Sequence, residues 1–169
     1  RFINIEAVIL DNPKVYRNIF LSLVSLAVLL RLFQLGKNSF WFDEAFSIFT
    51  AKAPNPSSVL AMVRANENNP PFYFLLLHLV LKFGDSETWV RLPSVIFGTL
   101  MLVSTFLLGK TIFDRKIALF SALAIAINPF LIFYSQEARA YSLASMLAAL
   151  SMYFFLRVLT EKGFKLWFL

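Results

Sequence analysis

The sequence has no cysteine and few charged residues. The absence of cysteine excludes disulfides and thiolate metal sites within these 169 residues. Charged residues make up 15% of the chain and apolar residues 59%, whereas a soluble domain averages about 25% and about 45–50%. No internal repeat and no low-complexity segment is visible. This composition excludes an ordinary soluble domain and indicates a membrane protein.

The basic residues are spread along the chain instead of forming one cluster. The formal net charge is +6, but Lys and Arg stand between apolar runs, which argues against a nucleic-acid-binding surface. Basic residues that flank apolar runs usually record how a membrane protein is inserted. No small-residue cleavage site follows the first run, so this run is expected to remain as a span.

The apolar runs predict an all-α, polytopic transmembrane protein. Spans are expected at about 19–35, 92–113, 117–134 and 143–159, since about 20 apolar residues cross a bilayer as a helix. Arg31 would extend its charged end to the membrane surface. The long loop at 36–91 is expected to carry short interfacial helices. Its apolar run at 72–83 is too short to span, which favours an interfacial or re-entrant helix.

Two topologies remain open, depending on whether the run at 72–83 crosses. If it does not, the N-terminus and the turns at 114–116 and 160–165 share a basic, cytoplasmic side. The loops at 36–91 and 135–142 then share the extracytoplasmic face. If it does cross, the basic residues around the 114–116 turn lie outside, against that rule. We favour the first arrangement.

Two acidic or mixed-charge segments then meet at one membrane surface. Asp43 and Glu44 stand among aromatic residues, and Glu137 and Arg139 lie in the second loop. A poorly hydrated carboxylate suits a general base, and an arginine fork suits phosphate oxygens. Two carboxylates, Asp43 and Glu137, could instead share a divalent cation such as Mg²⁺, Mn²⁺ or Zn²⁺. The plainer alternatives are helix capping by the first pair and a solvated ion pair in the second loop.

Five segments resemble, in order and spacing, blocks of the GT-C membrane glycosyltransferases, in the branch of protein O-mannosyltransferases and the lipid A aminoarabinose transferase. They are WFDEA at 41–45, NPPFYF at 69–74, RLPS at 91–94, FGTL at 97–100 and YSQEARAYSL at 134–143. The resemblance runs from about residue 19 to the end. It implies a fold of many transmembrane helices with juxtamembrane helices in the first external loop. It also implies a polyprenyl- or dolichyl-phosphate-linked sugar as the donor.

The resemblance also implies roles for single residues. The acidic pair of the first loop, Asp43 and Glu44, would lie at the active site. Glu137 would serve a metal or donor site, and Arg139 and Tyr141 would face the donor phosphate. The remaining substrate-binding candidates are Gln136 and Asn69, the latter standing where many relatives have His.

The predicted function is therefore a glycosyltransferase, inverting at the sugar carbon, that acts on an acceptor hydroxyl at the extracytoplasmic membrane face. A multi-pass plasma-membrane protein is expected, and the oligomeric state is left open. Because relatives are several hundred residues long, the chain is expected to be the N-terminal part of a longer protein. The alternatives are a transporter or a non-catalytic membrane module handling a phosphate-bearing lipid.

Overall fold

The structure, a computed structural model, describes residues 12–66 and 69–160, and all regular secondary structure in these ranges is helical. The predicted turn at 160–165 lies largely outside the described residues. The helices are α1 (Pro13–Leu32), α2 (Phe42–Ala51), α3 (Pro56–Asn66), α4 (Pro71–Val80), α5 (Glu87–Ile112), α6 (Arg115–Ile127), α7 (Pro129–Ser135) and α8 (Tyr141–Thr160). This architecture confirms the all-α prediction.

Three helices, α1, α5 and α8, are long and apolar enough to cross a membrane. Helices of 20 or more residues reach about 30 Å, the thickness of the hydrocarbon core. The central helix α5 contacts α8, α6 and α1. It begins at Glu87, where Ser86 caps its first turn, five residues before the predicted span at 92–113, and Pro93 lies inside the helix.

The segment predicted as one span at 117–134 is two helices, α6 and α7, bent by 60°. Pro129 has no N–H to donate and holds the residue before it in an extended conformation, so α6 ends at Ile127. Asn128 then caps α7 through its side chain, which accepts hydrogen bonds from the N–H groups of Phe130 and Leu131. The pair forms either a broken span or a re-entrant loop.

The chain between α1 and α5 carries the three shorter helices α2, α3 and α4. With ten residues, α4 is about 15 Å long and too short to span, as the sequence predicts for this run. Tyr73 and Leu77 of α4 pack in one buried cluster with Ile48 of α2 and Leu143 of α8. The cap of α3 is Asn55, whose side chain accepts the N–H of Ser58, and not one of the serines. These contacts fix α2 against the long helices.

Arg31 does not extend to the surface as predicted from the sequence. Its side chain is fully buried, with 0% of the residue exposed, beside the break between α6 and α7. Its donors reach backbone carbonyls of α6 and the hydroxyl of Ser135. Another helix therefore supplies hydrogen-bond partners for this cation, so the Arg31 side chain does not need to reach water.

Candidate active site

A buried ion pair between Arg91 of α5 and Glu44 of α2 forms the centre of the site. Arg91 Nη2 lies 2.7 Å from Glu44 Oε2, and Nε lies 2.8 Å from Oε1. Glu44 is fully buried and Arg91 is 5% exposed. This two-point geometry matches the planar guanidinium to the carboxylate and is among the stronger hydrogen-bonded arrangements in proteins. The pair ties α2 to the first turns of α5.

Both oxygens of Glu44 accept further hydrogen bonds. Oε1 accepts the N–H of Ala138 at 2.8 Å, and Oε2 accepts the N–H of Trp41 at 3.4 Å. The bond to Trp41 satisfies a free N–H at the start of α2, which is the capping role considered for this residue. Glu44 is a candidate catalytic residue by resemblance, yet its oxygens are occupied by these contacts. The geometry assigns it to holding the site together.

The segment from Ser135 to Arg139 is held from several sides. Gln136 Nε2 donates to the carbonyls of Arg31 and Phe33, at 3.0 and 2.8 Å. Arg139 Nη1 donates to Ser47 Oγ at 3.1 Å and to the carbonyl of Asp43 at 3.3 Å. The structure thus brings together the two loops that the sequence placed on one membrane face.

Glu137 lies in the middle of this segment and differs from its neighbours. Only 5% of the residue is exposed, and Oε2 is buried without a hydrogen-bond partner among the described residues. Burial, followed by the negative charges of Glu44 and Asp43, raises the pKa of Glu137 to about 7, against the lowering effect of Arg139 and Arg91. A buried polar atom without a partner is rare in folded proteins and marks Glu137 as a candidate functional group.

Asp43 is the second carboxylate that the fold leaves available. It lies in the first turn of α2 and is half-buried, and within residues 12–66 and 69–160 the side chains of Ser47 and Arg139 donate to its backbone carbonyl. Its negative charge is one of the influences that raise the pKa of Glu137. The catalytic roles of Asp43 and Glu44 stay predictions, and Glu44 is the one whose oxygens are already bound.

A cavity of about 290 Å³ opens beside these groups. Residues from α1–α2, α5 and the α7–α8 segment line it, among them Trp41, Glu44, Arg91, Phe133, Gln136 and Glu137. Its size is near the lower end of the range for small-molecule sites, about 300–1,000 Å³. The unpartnered carboxylate of Glu137 belongs to the wall of this cavity.

The other predicted substrate-binding residues are distributed around the site. The guanidinium of Arg139 lies 5.7 Å from the ring centre of Tyr141, a cation–π contact. Tyr141 packs edge-on against Tyr134 and lines a second cleft of about 390 Å³. Asn69 precedes α4 and lines neither cavity. Gln136 lines the first cavity while its side-chain amide binds backbone carbonyls.

The fit of a divalent cation can be tested on the acids of this site. In the described ranges no group of three or more His, Cys, Asp or Glu residues forms a metal site. With the oxygens of Glu44 occupied, Asp43 and Glu137 offer two carboxylates, and a Mg²⁺ ion is usually held by one or two carboxylates together with water and substrate phosphate. The cation predicted from the sequence remains a prediction.

Two functional arginines escaped the sequence analysis. Arg91 was recognised only as part of a sequence block, and Arg31 only as a residue near a span end. The available signal was the presence of a charged residue within an apolar helix, which marks functional positions in membrane proteins. Without the partners, however, this signal does not show what the arginine binds.

The fold and this site define a polytopic α-helical membrane protein with a charged site at one end of its long helices. The family described as dolichyl-phosphate-mannose-protein mannosyltransferase matches residues 68–169, more than half of the chain. The chain belongs to this family, and it is accordingly a membrane-embedded glycosyltransferase of the mannosyltransferase type. The comparison with curated proteins found no match, and the comparison with solved structures found none.

The family match covers only one side of the site. Glu137, Arg139 and Arg91 lie within residues 68–169, whereas Asp43 and Glu44 lie outside them. The two sides are joined by the pair of Glu44 with Arg91 and by the bond of Glu44 to Ala138. The roles considered for Asp43 and Glu44 therefore rest on geometry and on the sequence blocks.

Proposed function

We propose that the protein transfers a sugar from a polyprenyl- or dolichyl-phosphate-linked donor to an acceptor hydroxyl at the extracytoplasmic face of the plasma membrane. One observation carries the proposal. The segment of Glu137 and Arg139 is joined to the loop of Asp43 by the bond of Arg139 to the Asp43 carbonyl and by the bond of Ala138 to Glu44, and Glu137 lines a cavity there. Arg139 lies in the same site and is the natural partner for a donor phosphate.

Asp43 acts as the general base in the proposed reaction. It takes the proton of the acceptor hydroxyl while that oxygen attacks the anomeric carbon of the donor sugar. The bond between this carbon and the phosphate oxygen breaks, and the lipid phosphate leaves with the electron pair. A single in-line displacement of this kind inverts the configuration at the sugar carbon. The half-buried position of Asp43 leaves it reachable by an acceptor.

Arg139 and Glu137 act on the donor. The guanidinium of Arg139, fixed by Ser47 and by the carbonyl of Asp43, stabilises the negative charge that grows on the phosphate. Glu137, which lines the cavity, donates a hydrogen bond from its protonated carboxyl group to an oxygen of the sugar donor. Two carboxylates in different surroundings can thus hold different protonation states in one site, and the raised pKa of Glu137 supports this division.

The test is the Asp43→Asn variant of the full-length protein in lipid, assayed with polyprenyl-phosphate-linked sugars. Loss of a positioned base is expected to lower the rate about 10²–10⁴-fold while donor binding is retained. Asp85→Asn is the matched control, because Asp85 forms an exposed ion pair in another loop. If a folded Asp43→Asn enzyme that binds the donor transfers sugar at the wild-type rate, the proposed role of Asp43 is wrong.

The two alternatives have less support. A transporter should place ionisable groups at the midpoints of its spans, whereas Asp43 lies in the first turn of α2 and Glu137 lies between α7 and α8. A non-catalytic module has no reason to bring the two carboxylates together, yet they act on each other here. Neither alternative explains the unpartnered oxygen of Glu137.

A further inference from the structure

We propose that Arg31 is a positioning residue for Glu137. Its side chain binds the end of α6 and the end of α7, joins both helices to α1, and thereby sets where Glu137 faces the cavity. The inference rests on the role of Glu137 in the proposed function. Arg31 itself is fully buried and lines neither cavity, so it does not contact substrate.

The contacts of Arg31 span the break. Nη2 donates to the carbonyl of Ile125 at 3.1 Å, and Nη1 donates to that of Ala126 at 3.4 Å. These carbonyls belong to the last turn of α6. On the other side, Nε donates to Ser135 Oγ at 3.2 Å, in the last residue of α7. One side chain thus joins the end of α6 to the end of α7.

The position of the break explains why a cation belongs there. The last carbonyls of α6 have no N–H partner further along the helix, because the chain turns at Asn128 and Pro129. They form the negative end of the helix dipole, and a cation is favourable at this end. Arg31 supplies these carbonyls with the hydrogen-bond donors that the end of the helix lacks.

The surroundings leave Ser135 little freedom. Gly98 of α5 faces it closely, and a Cβ there would collide with Ser135 Oγ and come within 3.0 Å of Arg31 Nε. Ser142 Oγ lies 3.4 Å from Ser135 Oγ and also donates to the carbonyl of Tyr134. The two residues that precede Glu137 are therefore fixed to α1, Ser135 through Arg31 and Gln136 through the carbonyls at 31 and 33.

Release of this attachment should misplace Glu137 without opening the rest of the site. The Arg91–Glu44 pair lies on the other side and holds Ala138, so the segment stays in place at one end. A displacement of about 1 Å from a remote change can cost about 10²-fold in rate. The loss should appear in kcat and less in KM, because the donor phosphate is bound by Arg139.

The test is a double-mutant cycle in the full-length protein in lipid, with kcat normalised to donor-binding sites. Arg31→Met is expected to lower kcat about 10²-fold, and Arg31→Lys to recover part of it. In a Glu137→Gln background the same Arg31→Met change should cost much less, because residues that act through one another are not additive. Arg17→Met, at an exposed arginine of the same helix, is the control and should match wild type.

Additive losses in the cycle overturn the proposal, because they show that Arg31 acts on stability alone. If Arg31→Met does not fold, Ser135→Ala removes the contact to α7 at little change in volume, and the same criterion applies to it. A single cysteine at Ala126, a buried residue whose carbonyl accepts from Arg31, gives a readout independent of activity, since these 169 residues contain no other cysteine. Maleimide labelling there should accelerate in the Arg31→Met variant.

Failure of this inference is distinguishable from failure of the proposed function. If Glu137→Gln and Glu137→Ala both transfer sugar at the wild-type rate, the proposed role of Glu137 is wrong. The labelling rate then tests the role of Arg31 by itself. An unchanged rate would show that Arg31 does not hold α6 and α7 to α1 either.

Discussion

Two buried arginines, Arg91 and Arg31, hold the same segment of chain by different chemistry. Arg91 faces the carboxylate of Glu44 and the carbonyls of Leu35 and Asn38, so its charge is neutralised by an acid. Arg31 faces backbone carbonyls and one hydroxyl, and none of its acceptors is a carboxylate. The first arrangement is an ion pair, and the second is a cation at a helix end. Removal of one partner should therefore destabilise the protein by a different amount in each arrangement.

The largest effect is expected from Glu44→Gln, which leaves the buried charge of Arg91 without its anion. Breaking a buried ion pair by removing one partner costs about 3–5 kcal/mol. Thermal unfolding in detergent and the yield of folded protein measure this loss. The double variant Glu44→Leu with Arg91→Met should be more stable than the single variant, because it leaves no unpaired charge. If it is no more stable, the pairing account of Arg91 is wrong.

A smaller loss of stability is expected from Arg31→Met. Removal of this side chain deprives the carbonyls of Ile125 and Ala126 of their donor but leaves no buried charge behind. An unsatisfied buried polar group costs about 1–3 kcal/mol. The same unfolding measurement, run beside Glu44→Gln, compares the two sites directly. A loss as large as that of Glu44→Gln would contradict the difference drawn between the two arginines.

Glu137 belongs to the segment in which Arg31 binds Ser135 and the partner of Arg91, Glu44, binds Ala138, and its protonation can be followed by pH. Its folded-state pKa is raised from 4.5 to about 7, so the protonated form predominates below about 7. The stability that this proton contributes is complete below the unfolded value and is lost as the pH rises through about 7.

Transfer activity should follow the same direction if the protonated form binds the donor. The rate is expected to fall about tenfold per pH unit above about 7, and Glu137→Gln, which keeps a donor, should abolish this fall. Glu137→Ala should be less active than Glu137→Gln at all pH values. A rate that rises through pH 7 and loses that rise in Glu137→Gln would instead assign the base to Glu137.

The smallest effect is expected at the exposed ion pair of Lys52 with Asp85. The two side chains are 3.3 Å apart but 53% and 70% exposed. Such pairs are worth about 0–1 kcal/mol because water and salt screen them. Lys52→Ala should therefore shift the unfolding midpoint little, and this shift sets the baseline for the two buried arginines. If Lys52→Ala lowered the stability as much as Arg31→Met does, the predicted order of the three sites would be wrong.

The helices were largely predictable, because hydropathy and capping are local properties of the chain. The short run at 72–83 appears as the ten-residue helix α4, whereas the prediction of one span at 117–134 missed the break at 128–129. The sequence also placed residues 43–44 and 136–139 on one face, and the structure joins them through Glu44 and Ala138.

The division of labour among the acids was not predictable. Asp43 and Glu44 are neighbours of similar chemistry, yet one is saturated by Arg91 and the other is not. The two partners of that ion pair are 47 positions apart in sequence. Arg31 is likewise 104 positions from Ser135. Hydropathy describes how well a single helix fits into lipid. It therefore cannot distinguish a charged residue that pairs with a distant helix from one whose side chain must reach water.

The same long separation governs how the chain is made. Arg31 belongs to α1, but its acceptors at 125, 126 and 135 are synthesised about a hundred residues later. An arginine at the centre of an inserted helix costs about 2.5–3.5 kcal/mol, and less near its end. Because Arg31 is the next-to-last residue of α1, it can wait at the lipid–water boundary until α6 and α7 arrive. The cation is thus drawn inward only after α6 and α7 have been made, so this contact cannot form before the broken helix pair is synthesised.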